Sequence, residues 1–405
     1  MLQQDFSEHS LRCYLYPSDF IKNRSLLNQS HLKTFFCEVR ECLKFIHYDR
    51  ISLNKIMKAK KYVYLTSSFH HKIILRRCDF VLKKLFEINI KNRHSIIDEL
   101  IVFLKESPGF YIYRTDIKSF FESINQDLLL EKLECHKELS STIYYIVFYL
   151  IKSLNKPVGI PRGLEISSSL AEVFLRKFDE KIHHSSNTLY YARFVDDIIL
   201  ISSKKIDADD FFKNHLPDGL FLNNKKTISI ELEHYKDQST EKTLNYLGYE
   251  FTFTSDDLSG KIKKKSFRDI KVSISRSKIN KIKNNISKSF YAYYNNFDFD
   301  LLMDRLHFLS SNRTLLCEKT KRKIPTGIYF NYSKLNTNEA LRELDFFIKK
   351  IIFDSKLRIN KNRRRPFNKV ELNKLLKINF EKSHNNIVYK SFNVRRLKEI
   401  TRIWQ

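Results

Sequence analysis

Two adjacent aspartates, Asp196 and Asp197, lie between two runs of apolar, β-favouring residues. The runs cover 189–195 and 198–201, so they leave room only for a tight turn. The segment is therefore predicted to be a buried β-hairpin that carries two carboxylates at its tip. Adjacent carboxylates repel each other, and burial strengthens the repulsion, so the arrangement becomes favourable when divalent cations bind there. An exposed Asp-Asp turn is the plainer alternative, but apolar residues on both strands disfavour it.

A third carboxylate, Asp116, follows the predicted strand Phe110–Tyr113, which comes directly after Pro108-Gly109. A carboxylate at the end of a buried strand lies at the end of a sheet, where a metal ion can reach it. Carboxylate oxygens suit Mg²⁺, with Mn²⁺ as an alternative. In two-metal phosphoryl transfer, one ion activates an attacking 3′-hydroxyl and the other neutralises the leaving pyrophosphate. Asp116, Asp196 and Asp197 are therefore predicted to form such a metal site.

The chain around these carboxylates alternates β-type runs with helical ones. Further strands are predicted at 227–232 and 249–253, where apolar and polar residues alternate. Long helical regions are predicted at 126–152 and 165–183. This interleaving predicts an α+β fold in which an antiparallel sheet is backed by helices.

The character of the sequence changes twice along the 405 residues, which predicts three regions. Residues 1–60 are predicted to form a helical N-terminal extension, and residues 61–258 contain the alternating strands and helices. Residues 259–405 are basic and helical, and they begin with the run Lys261–Lys265. Helices in this last region are predicted near 271–291, 299–310 and 337–353.

The charge balance indicates a polyanionic partner. Lys and Arg number 73 against 46 Asp and Glu, which gives a net charge of +27. A protein with this excess repels itself unless it meets a polyanion, so nucleic acid is the first expected partner and an acidic membrane surface the second. A lysine-rich bias from an AT-rich genome is the alternative explanation. That bias does not account for arginine clusters such as Arg363-Arg364-Arg365.

The sequence predicts neither export nor a membrane span. The first residues lack a charged start followed by an apolar run, and no stretch of about 18 apolar residues occurs. The 6 cysteines are dispersed without a CxxC pair, which suits a reducing compartment and matches no common zinc spacing. We expect a cytoplasmic protein without a membrane partner.

Five segments resemble, in order, the palm motifs of reverse transcriptases. They are Asp116–Phe121, Gly159–Glu172, Tyr191–Asp197, Leu220–Thr227 and Tyr246–Tyr249. The resemblance covers about 110–250, and five motifs in the family's order make chance an unattractive explanation. It implies a right-hand polymerase with fingers, a palm and a helical C-terminal thumb. The implied activity is RNA-directed DNA synthesis, in which dNTPs are added to a 3′-hydroxyl on an RNA template and DNA is the product.

The resemblance also implies roles for single residues in the first and third motifs. Asp116, Asp196 and Asp197 would bind two Mg²⁺ ions, and the backbone of Ile117 would lie beside the metal and the incoming triphosphate. Phe121 would occupy the position whose aromatic ring blocks a ribose 2′-hydroxyl. A ring at that position favours deoxynucleotides by steric exclusion.

The remaining motifs imply further contacts with substrate. Lys226 aligns with the lysine proposed to protonate pyrophosphate, and Lys225 is the alternative in register. Arg162 stands where many members of the family carry Gln, and its guanidinium would contact the base or the triphosphate. Gly163 would lie where the chain turns beneath the nucleotide, and Gly248 would let the backbone approach the primer strand.

The stretch His70–Arg77 lies where the fingers would contact the triphosphate, although its match to the family is poor. Lys72 and Arg76 are the candidates for those contacts. The paired histidines, His70 and His71, are predicted to lie in an ordinary polar strand or loop rather than a metal site.

Among reverse transcriptases, the first two motifs and the segment Gly327–Tyr332 are most similar to bacterial antiphage enzymes. These are the abortive-infection and defence-associated reverse transcriptases, and the similarity is greatest to the smaller polymerase of the type 3 defence-associated system. That resemblance implies antiviral defence, a structured noncoding RNA and a second reverse transcriptase subunit as partners.

Three alternatives stay open at this point. An RNA-synthesising polymerase with a similar palm is disfavoured by Phe121, whose ring leaves no room for a 2′-hydroxyl. A nucleic-acid-binding scaffold is disfavoured by the complete set of three carboxylates, which a scaffold does not need. A template-independent or protein-templated nucleotide polymerase is compatible with the sequence, and Arg162 keeps it open.

Overall fold

The computed structural model describes residues 2–45, 51–58, 61–237, 240–253, 267–317, 320–353 and 367–404. The basic runs at 261–265 and 363–365, and the predicted boundary at 258/259, lie outside these ranges. The chain divides into two compact units. The first consists mainly of Met1–Ile96 and Pro108–Glu233, and the second of Ile97–Ser107, His234–Cys317 and Lys321–Gln405. The three regions predicted from the sequence were defined by motifs and composition. That division of the chain into domains stays a prediction.

The first unit combines helices with a hairpin and a four-stranded sheet. Its helices are α1 (Glu8–Arg12), α2 (Pro17–Lys22), α3 (Gln29–Phe45), α4 (Phe69–Leu85), α5 (Arg93–Leu104, with residues in both units), α6 (Phe120–Ser123), α7 (Gln126–Glu134), α8 (Ser141–Lys152), α9 (Glu165–His183) and α10 (Ala208–Lys213). Its strands are β1 (Leu53–Lys58), β2 (Lys61–Thr66), β3 (Phe110–Asp116), β4 (Thr188–Phe194), β5 (Asp197–Ser202) and β6 (Ile228–Leu232).

The four-stranded sheet is antiparallel and has the order β4-β5-β3-β6. Helices α4 and α9 pack against each other, and α9 packs on β4. Buried apolar residues at helical spacing, such as Ile74 and Val81 on α4 and Leu170 and Phe174 on α9, form the core between them. This core fixes the ends of β3 and β5, where the predicted carboxylates lie.

The second unit contains the three-stranded antiparallel sheet β7-β8-β9, the hairpin β10-β11 and several helices. The strands are β7 (Lys242–Tyr246), β8 (Tyr249–Phe253), β9 (Ile270–Ile274), β10 (Asn312–Leu316) and β11 (Lys323–Gly327). The helices are α11 (Arg276–Asn296), α12 (Phe299–Ser310), α13 (Ile328–Asn331), α14 (Glu339–Phe353), α15 (Lys369–Leu376), α16 (Phe380–Asn385) and α17 (Val394–Thr401). Helix α11 packs against both α12 and α14.

Gly248 has a local structural reason to be glycine. Strands β7 and β8 pair Tyr246 with Tyr249, so Leu247 and Gly248 form a two-residue turn with positive φ angles of 45° and 85°. Turns with positive φ at both central residues match the twist of a β-hairpin and favour glycine. The proposed approach of Gly248 to a primer stays a prediction.

The predicted α+β fold is confirmed, and so are the strands that carry the carboxylates. The prediction for His70 and His71 is wrong, because both lie in the first turn of α4 rather than in a strand or loop. The C-terminal region is less purely helical than predicted, since β9 occupies the start of the segment near 271–291 and β10-β11 follows α12. No helix within the described ranges combines the length and the hydropathy that crossing a bilayer requires.

Candidate active site

Asp116 and Asp197 face each other across two neighbouring strands. Asp116 is the last residue of β3 and Asp197 the first of β5, and the antiparallel register pairs their Cα atoms directly. Residues paired in this way project to the same face of a sheet. Asp196 occupies the turn immediately before Asp197. The structure therefore brings the three predicted carboxylates to one end of one sheet.

The turn between β4 and β5 holds an unusual backbone conformation. Val195 has φ 61°, in the left-handed region that a β-branched residue rarely adopts. Two contacts hold this turn in place: the Ile117 N–H donates to the Asp196 carbonyl at 3.0 Å, and Arg193 donates to the Val195 carbonyl at 2.9 Å. Strained conformations of this kind persist only where the surroundings fix them. The position of Asp196 thus depends on β3 and on Arg193.

Arg193 ties this turn to helix α9 through a buried ion network. Its Nε and Nη2 atoms donate to the two carboxylate oxygens of Asp179, at 2.9 and 2.6 Å. Its Nη1 atom donates to Glu172 at 3.1 Å, and Nη2 donates to the second oxygen of the same carboxylate. Only 5% of the Arg193 side chain is exposed, so water barely screens these bonds.

Protein cations lie beside two of the three carboxylates. Lys226 Nζ is 2.9 Å from Asp116 Oδ2, and Asn223 Nδ2 donates to the same oxygen at 3.3 Å. Arg114 Nη2 donates to Asp197 Oδ1 at 3.1 Å. Lys226 thus lies next to the carboxylates, whereas Lys225 lines a neighbouring cavity, and the role of Lys226 toward pyrophosphate stays a prediction.

The pKa values of the site reflect the closeness of its three carboxylates. Burial raises the pKa of the Asp196 carboxyl, and the nearby Asp116 and Asp197 carboxylates raise it further. The hydrogen bond to Asp116 raises the pKa of the Lys226 ammonium, and the charges of all three aspartates add to this effect. The turn therefore holds negative charge that favours a cation.

The donor set suits a hard divalent cation, since it consists of carboxylate oxygens on adjoining strand ends. Within the described ranges, no three His, Cys, Asp or Glu side chains are already arranged as a metal-binding cluster. The side chains of Asp116 and Asp197 instead contact Lys226 and Arg114. These two cations balance negative charge that a metal ion would otherwise neutralise. The carboxylate oxygens fit a divalent metal ion, and the side chains of Asp116 and Asp197 would rearrange to bind it.

Phe121, Glu122 and Arg162 form a compact group on α6 and the loop before α9. The Arg162 guanidinium lies over the Phe121 ring, 4.8 Å from its centroid. Arg162 also donates to both carboxylate oxygens of Glu122, from Nε at 2.9 Å and from Nη2 at 3.1 Å. The predicted contact of Arg162 with a base or triphosphate stays a prediction, and the structure gives this side chain protein partners.

Gly163 lies where the loop meets the β1-β2 hairpin. Its φ is +108°, and a Cβ atom there would lie 2.5 Å from Val63 Cγ1 and 3.0 Å from the Tyr64 carbonyl oxygen. The Tyr64 N–H donates to the carbonyl of the preceding Arg162 at 2.7 Å. Glycine is therefore required here by both the backbone conformation and the close approach of β2.

We expect Gly163→Ala to destabilise the protein by about 1–3 kcal/mol, because it adds backbone strain and pushes β2 away from the loop. The free energy of unfolding in denaturant measures this. Gly219→Ala is the matched control, since Gly219 also has a positive φ, +89°, but its nearest atom to a Cβ is 3.4 Å away. Equal losses in the two variants would contradict the importance of the contact with β2.

The predicted triphosphate contact of Arg76 does not agree with its surroundings. Its guanidinium is buried, donates to Asp19 Oδ2 at 2.6 Å and to Glu165 at 3.2 Å, and lies over the Tyr16 ring. Arg76 thus joins the N-terminal helices to α9 rather than facing an open site. Lys72 lies half-buried on the first turns of α4.

A cavity of about 570 Å³ adjoins the carboxylates. Asn223 connects the two, because it lines the cavity and donates to Asp116. The cavity lining is Lys118, Asp209, Lys213, Phe221, Leu222, Asn223, Asn224 and Lys225. Three lysines against one aspartate give this cavity a positive balance.

Sequence reasoning missed four residues that organise the site: Arg114, Glu122, Arg193 and Asn223. Arg193 and Asn223 lie inside the third and fourth motifs, and Arg114 and Glu122 flank the first. Their partners come from other segments of the chain, as with Arg193 on β4 and Asp179 on α9. An arginine within the apolar run that precedes Asp196 was the available signal.

A family model described as "Reverse transcriptase (RNA-dependent DNA polymerase)" matches residues 72–251, a range that includes every predicted site residue. A search of curated proteins found no match.

Similar solved structures include two telomerases. Apo telomerase from Candida tropicalis, truncated from the C-terminal domain, shares 16% identity over 49% of this chain and 52% of its own, with a TM-score of 0.36. Telomerase from Candida albicans in complex with the TWJ fragment of telomeric RNA shares 13% identity over 88% and 62%, with a TM-score of 0.35. The alignments cover about half to two thirds of the length of these structures.

Proposed function

We propose that the protein is an RNA-directed DNA polymerase that adds dNTPs to a 3′-hydroxyl, and the match of residues 72–251 to a reverse transcriptase family model supports this proposal. The observation that carries the proposal is the register of β3 and β5, which sets Asp116 opposite Asp197 with Asp196 in the adjoining turn. A site of this kind needs little from the protein beyond charge and positioning.

Asp116, Asp196 and Asp197 are the residues that would hold Mg²⁺, or Mn²⁺ in its place. The bound ions would lower the pKa of the attacking 3′-hydroxyl and stabilise the charge of the leaving pyrophosphate. The Ile117 N–H is used by the Asp196 carbonyl, so the Ile117 carbonyl is the backbone group proposed to reach the metal and the triphosphate.

Lys226 is proposed to act on the leaving pyrophosphate. Its ammonium already lies among the carboxylates, 2.9 Å from Asp116, and its pKa is raised there, so it carries its proton at neutral pH. A protonated lysine beside the leaving oxygen would donate that proton as the bond breaks. The lysine-lined cavity next to Asn223 adds positive charge that favours a polyphosphate.

Phe121 is proposed to select deoxynucleotides. Its side chain is half-buried against the core and adjoins the Phe120 ring at a centroid distance of 5.5 Å. A ring held in this way would exclude a ribose 2′-hydroxyl by its volume. This assignment makes dNTPs rather than rNTPs the proposed substrates, with RNA as template and DNA as product.

The direct test uses purified protein, a primed RNA template, Mg²⁺ and labelled dNTPs or rNTPs, with any RNA that co-purifies left in place. Labelled DNA formed from dNTPs is the expected result. Product from rNTPs alone, or no product under any of these conditions, would contradict the proposal.

A finer proposal rests on the sequence resemblance to antiphage enzymes. It places the protein in the bacterial cytoplasm, in antiviral defence, with a noncoding RNA and a second reverse transcriptase subunit as partners. Bacteria that carry the protein with its co-purifying partners are expected to form fewer phage plaques than bacteria with an Asp196→Asn variant. Equal plaque numbers would contradict the defence role without touching the polymerase activity.

A further inference from the structure

We propose that Arg162 and Glu122 are positioning residues that hold the Phe121 ring and thereby set the discrimination between deoxy- and ribonucleotides. This inference rests on the proposed function, in which Phe121 selects the sugar. Glu122 is adjacent to Phe121 on α6, and Arg162 belongs to a loop 40 residues further along the chain. The pair therefore connects the selecting ring to a second, separately anchored segment.

The Phe121 ring is held from more than one side. The Arg162 guanidinium lies 4.8 Å from the ring centroid, a distance at which a cation is attracted to an aromatic face. The Phe120 ring, itself buried, meets Phe121 at a tilt of 60°. A change of the Phe121 rotamer would have to break these contacts, so they favour one ring position.

The Arg162 side chain is itself fixed by Glu122. Two parallel N–H groups of one guanidinium bond the two oxygens of one carboxylate, an arrangement that sets both distance and orientation. Burial acts to raise the pKa of Glu122, but the hydrogen bond and charge of Arg162 outweigh it, so the net pKa is lowered. Glu122 therefore remains ionised, and the pair remains charged, at neutral pH.

The backbone around this pair is anchored as firmly as its side chains. The Ile160 N–H donates to the Phe121 carbonyl at 2.8 Å, and the Gly159 N–H donates to the Ile124 carbonyl at 2.7 Å. On the other side, the Arg162 carbonyl accepts from the Tyr64 N–H at 2.7 Å. The loop that carries Arg162 is thus hydrogen-bonded to the segment of α6 and to β2. Its Arg162 side chain lies over the Phe121 ring.

The charge of Arg162 matters to this arrangement. A glutamine at position 162 would offer Glu122 one neutral amide instead of a forked cation, and it would place no charge on the ring. A lysine would keep the charge but not the planar fork. These two substitutions therefore separate the cation over the ring from the two-point bond to Glu122.

The test compares kcat/KM for a dNTP and for the matching rNTP in single-nucleotide addition. We expect Glu122→Gln and Arg162→Gln to lower the dNTP-to-rNTP ratio by about 3- to 10-fold, the size of effect expected for a half-exposed pair stacked on a ring. Arg162→Lys is expected to lie between them and the wild type. The exchanged pair, Glu122→Arg with Arg162→Glu, is expected to recover part of the ratio.

A double-mutant cycle ties the effect to the ring. Phe121→Val removes most of the ring and lowers the ratio on its own, so adding Glu122→Gln to it is expected to lower the ratio no further. Glu180→Gln is the matched control, because it removes an equally long Arg–Glu pair, 2.9 Å from Arg176 Nε, on the outside of α9. The control is expected to keep the wild-type ratio.

Several outcomes would overturn the inference. The dNTP-to-rNTP ratio could stay unchanged in both Glu122→Gln and Arg162→Gln while thermal unfolding shows that both variants are folded. The pair would then be a surface contact without a role in sugar discrimination. An equal rise in KM for dNTP and rNTP in Arg162→Lys would make Arg162 a triphosphate ligand instead. In either case a wild-type protein that extends primers with dNTPs leaves the proposed function standing. A wild-type protein that incorporates no nucleotide overturns both.

Discussion

Asp196→Asn is expected to lower DNA synthesis by about 10³-fold or more, because several kcal/mol of transition-state stabilisation depend on carboxylates that bind metal ions. The same loss is expected for Asp116→Asn, whose side chain shares the end of the sheet. Steady-state primer extension with labelled dNTPs measures both. The matched control is Asp127→Asn, since Asp127 is 82% exposed and pairs only weakly, at 3.4 Å, with Lys152.

The loss in Asp196→Asn is expected to occur without unfolding. Burial and the neighbouring carboxylates raise the pKa of Asp196, which means that its charged form is disfavoured in the folded protein. A neutral amide at this position removes repulsion, so the melting temperature is expected to stay equal or rise. A variant that folds normally and keeps wild-type synthesis would remove Asp196 from the site.

Arg193→Met is expected to destabilise the protein by about 3–5 kcal/mol, because it leaves the carboxylates of Glu172 and Asp179 close together without their shared cation. The bonds to both carboxylates also hold the pKa of Arg193 well above its usual value against the opposing effect of burial. Denaturant unfolding monitored by circular dichroism measures the loss.

The control for this prediction is Arg176→Met, on the same helix as Glu172 and Asp179. The Arg176 side chain is 43% exposed and bonds Glu180 one turn away and the Phe86 carbonyl at 3.2 Å, so its removal is expected to cost about 1 kcal/mol. Arg193→Lys is expected to fall between the two, since an ammonium has three donors and cannot replace the five bonds that the guanidinium makes. A cost for Arg193→Met no larger than for Arg176→Met would contradict this account of the turn.

The position of the three aspartates could be predicted from the sequence. Apolar runs on both sides of Asp196 and Asp197 define strands that end where the charge begins, and Asp116 ends another such strand. Strand ends of one antiparallel sheet lie close together, and this proximity can be predicted without knowing how the side chains pack. The same logic predicted the α+β fold, because the alternation of strands and helices is a property of short sequence windows.

The partners of the arginines could not be predicted in this way. Arg76 was assigned to an open triphosphate site, yet its partner Asp19 lies 57 residues away in the N-terminal helices and buries it. The pairing of Arg162 with Glu122 could not be predicted either, although the proposed contact of Arg162 with the nucleotide stays a prediction. Such pairs depend on how distant segments pack, and no periodicity in the sequence reports that.

Strand β9 shows a different limit of sequence reasoning. Ile270, Val272 and Ile274 alternate with polar residues at the spacing of a strand, and all three are buried. The next segment forms α11, and its apolar residues recur at helical spacing. That helical pattern begins almost where β9 ends. A five-residue strand adjoining a 21-residue helix is therefore absorbed into the helical pattern.

The most direct test of RNA-directed DNA synthesis is the sequence of the product. Purified protein is given dNTPs, Mg²⁺ and either of two primed RNA templates of unrelated sequence, and the newly made DNA is sequenced. Two products, each complementary to the RNA supplied, are the result that this account predicts. One product sequence made regardless of the template would contradict it, even if Asp116, Asp196 and Asp197 prove essential.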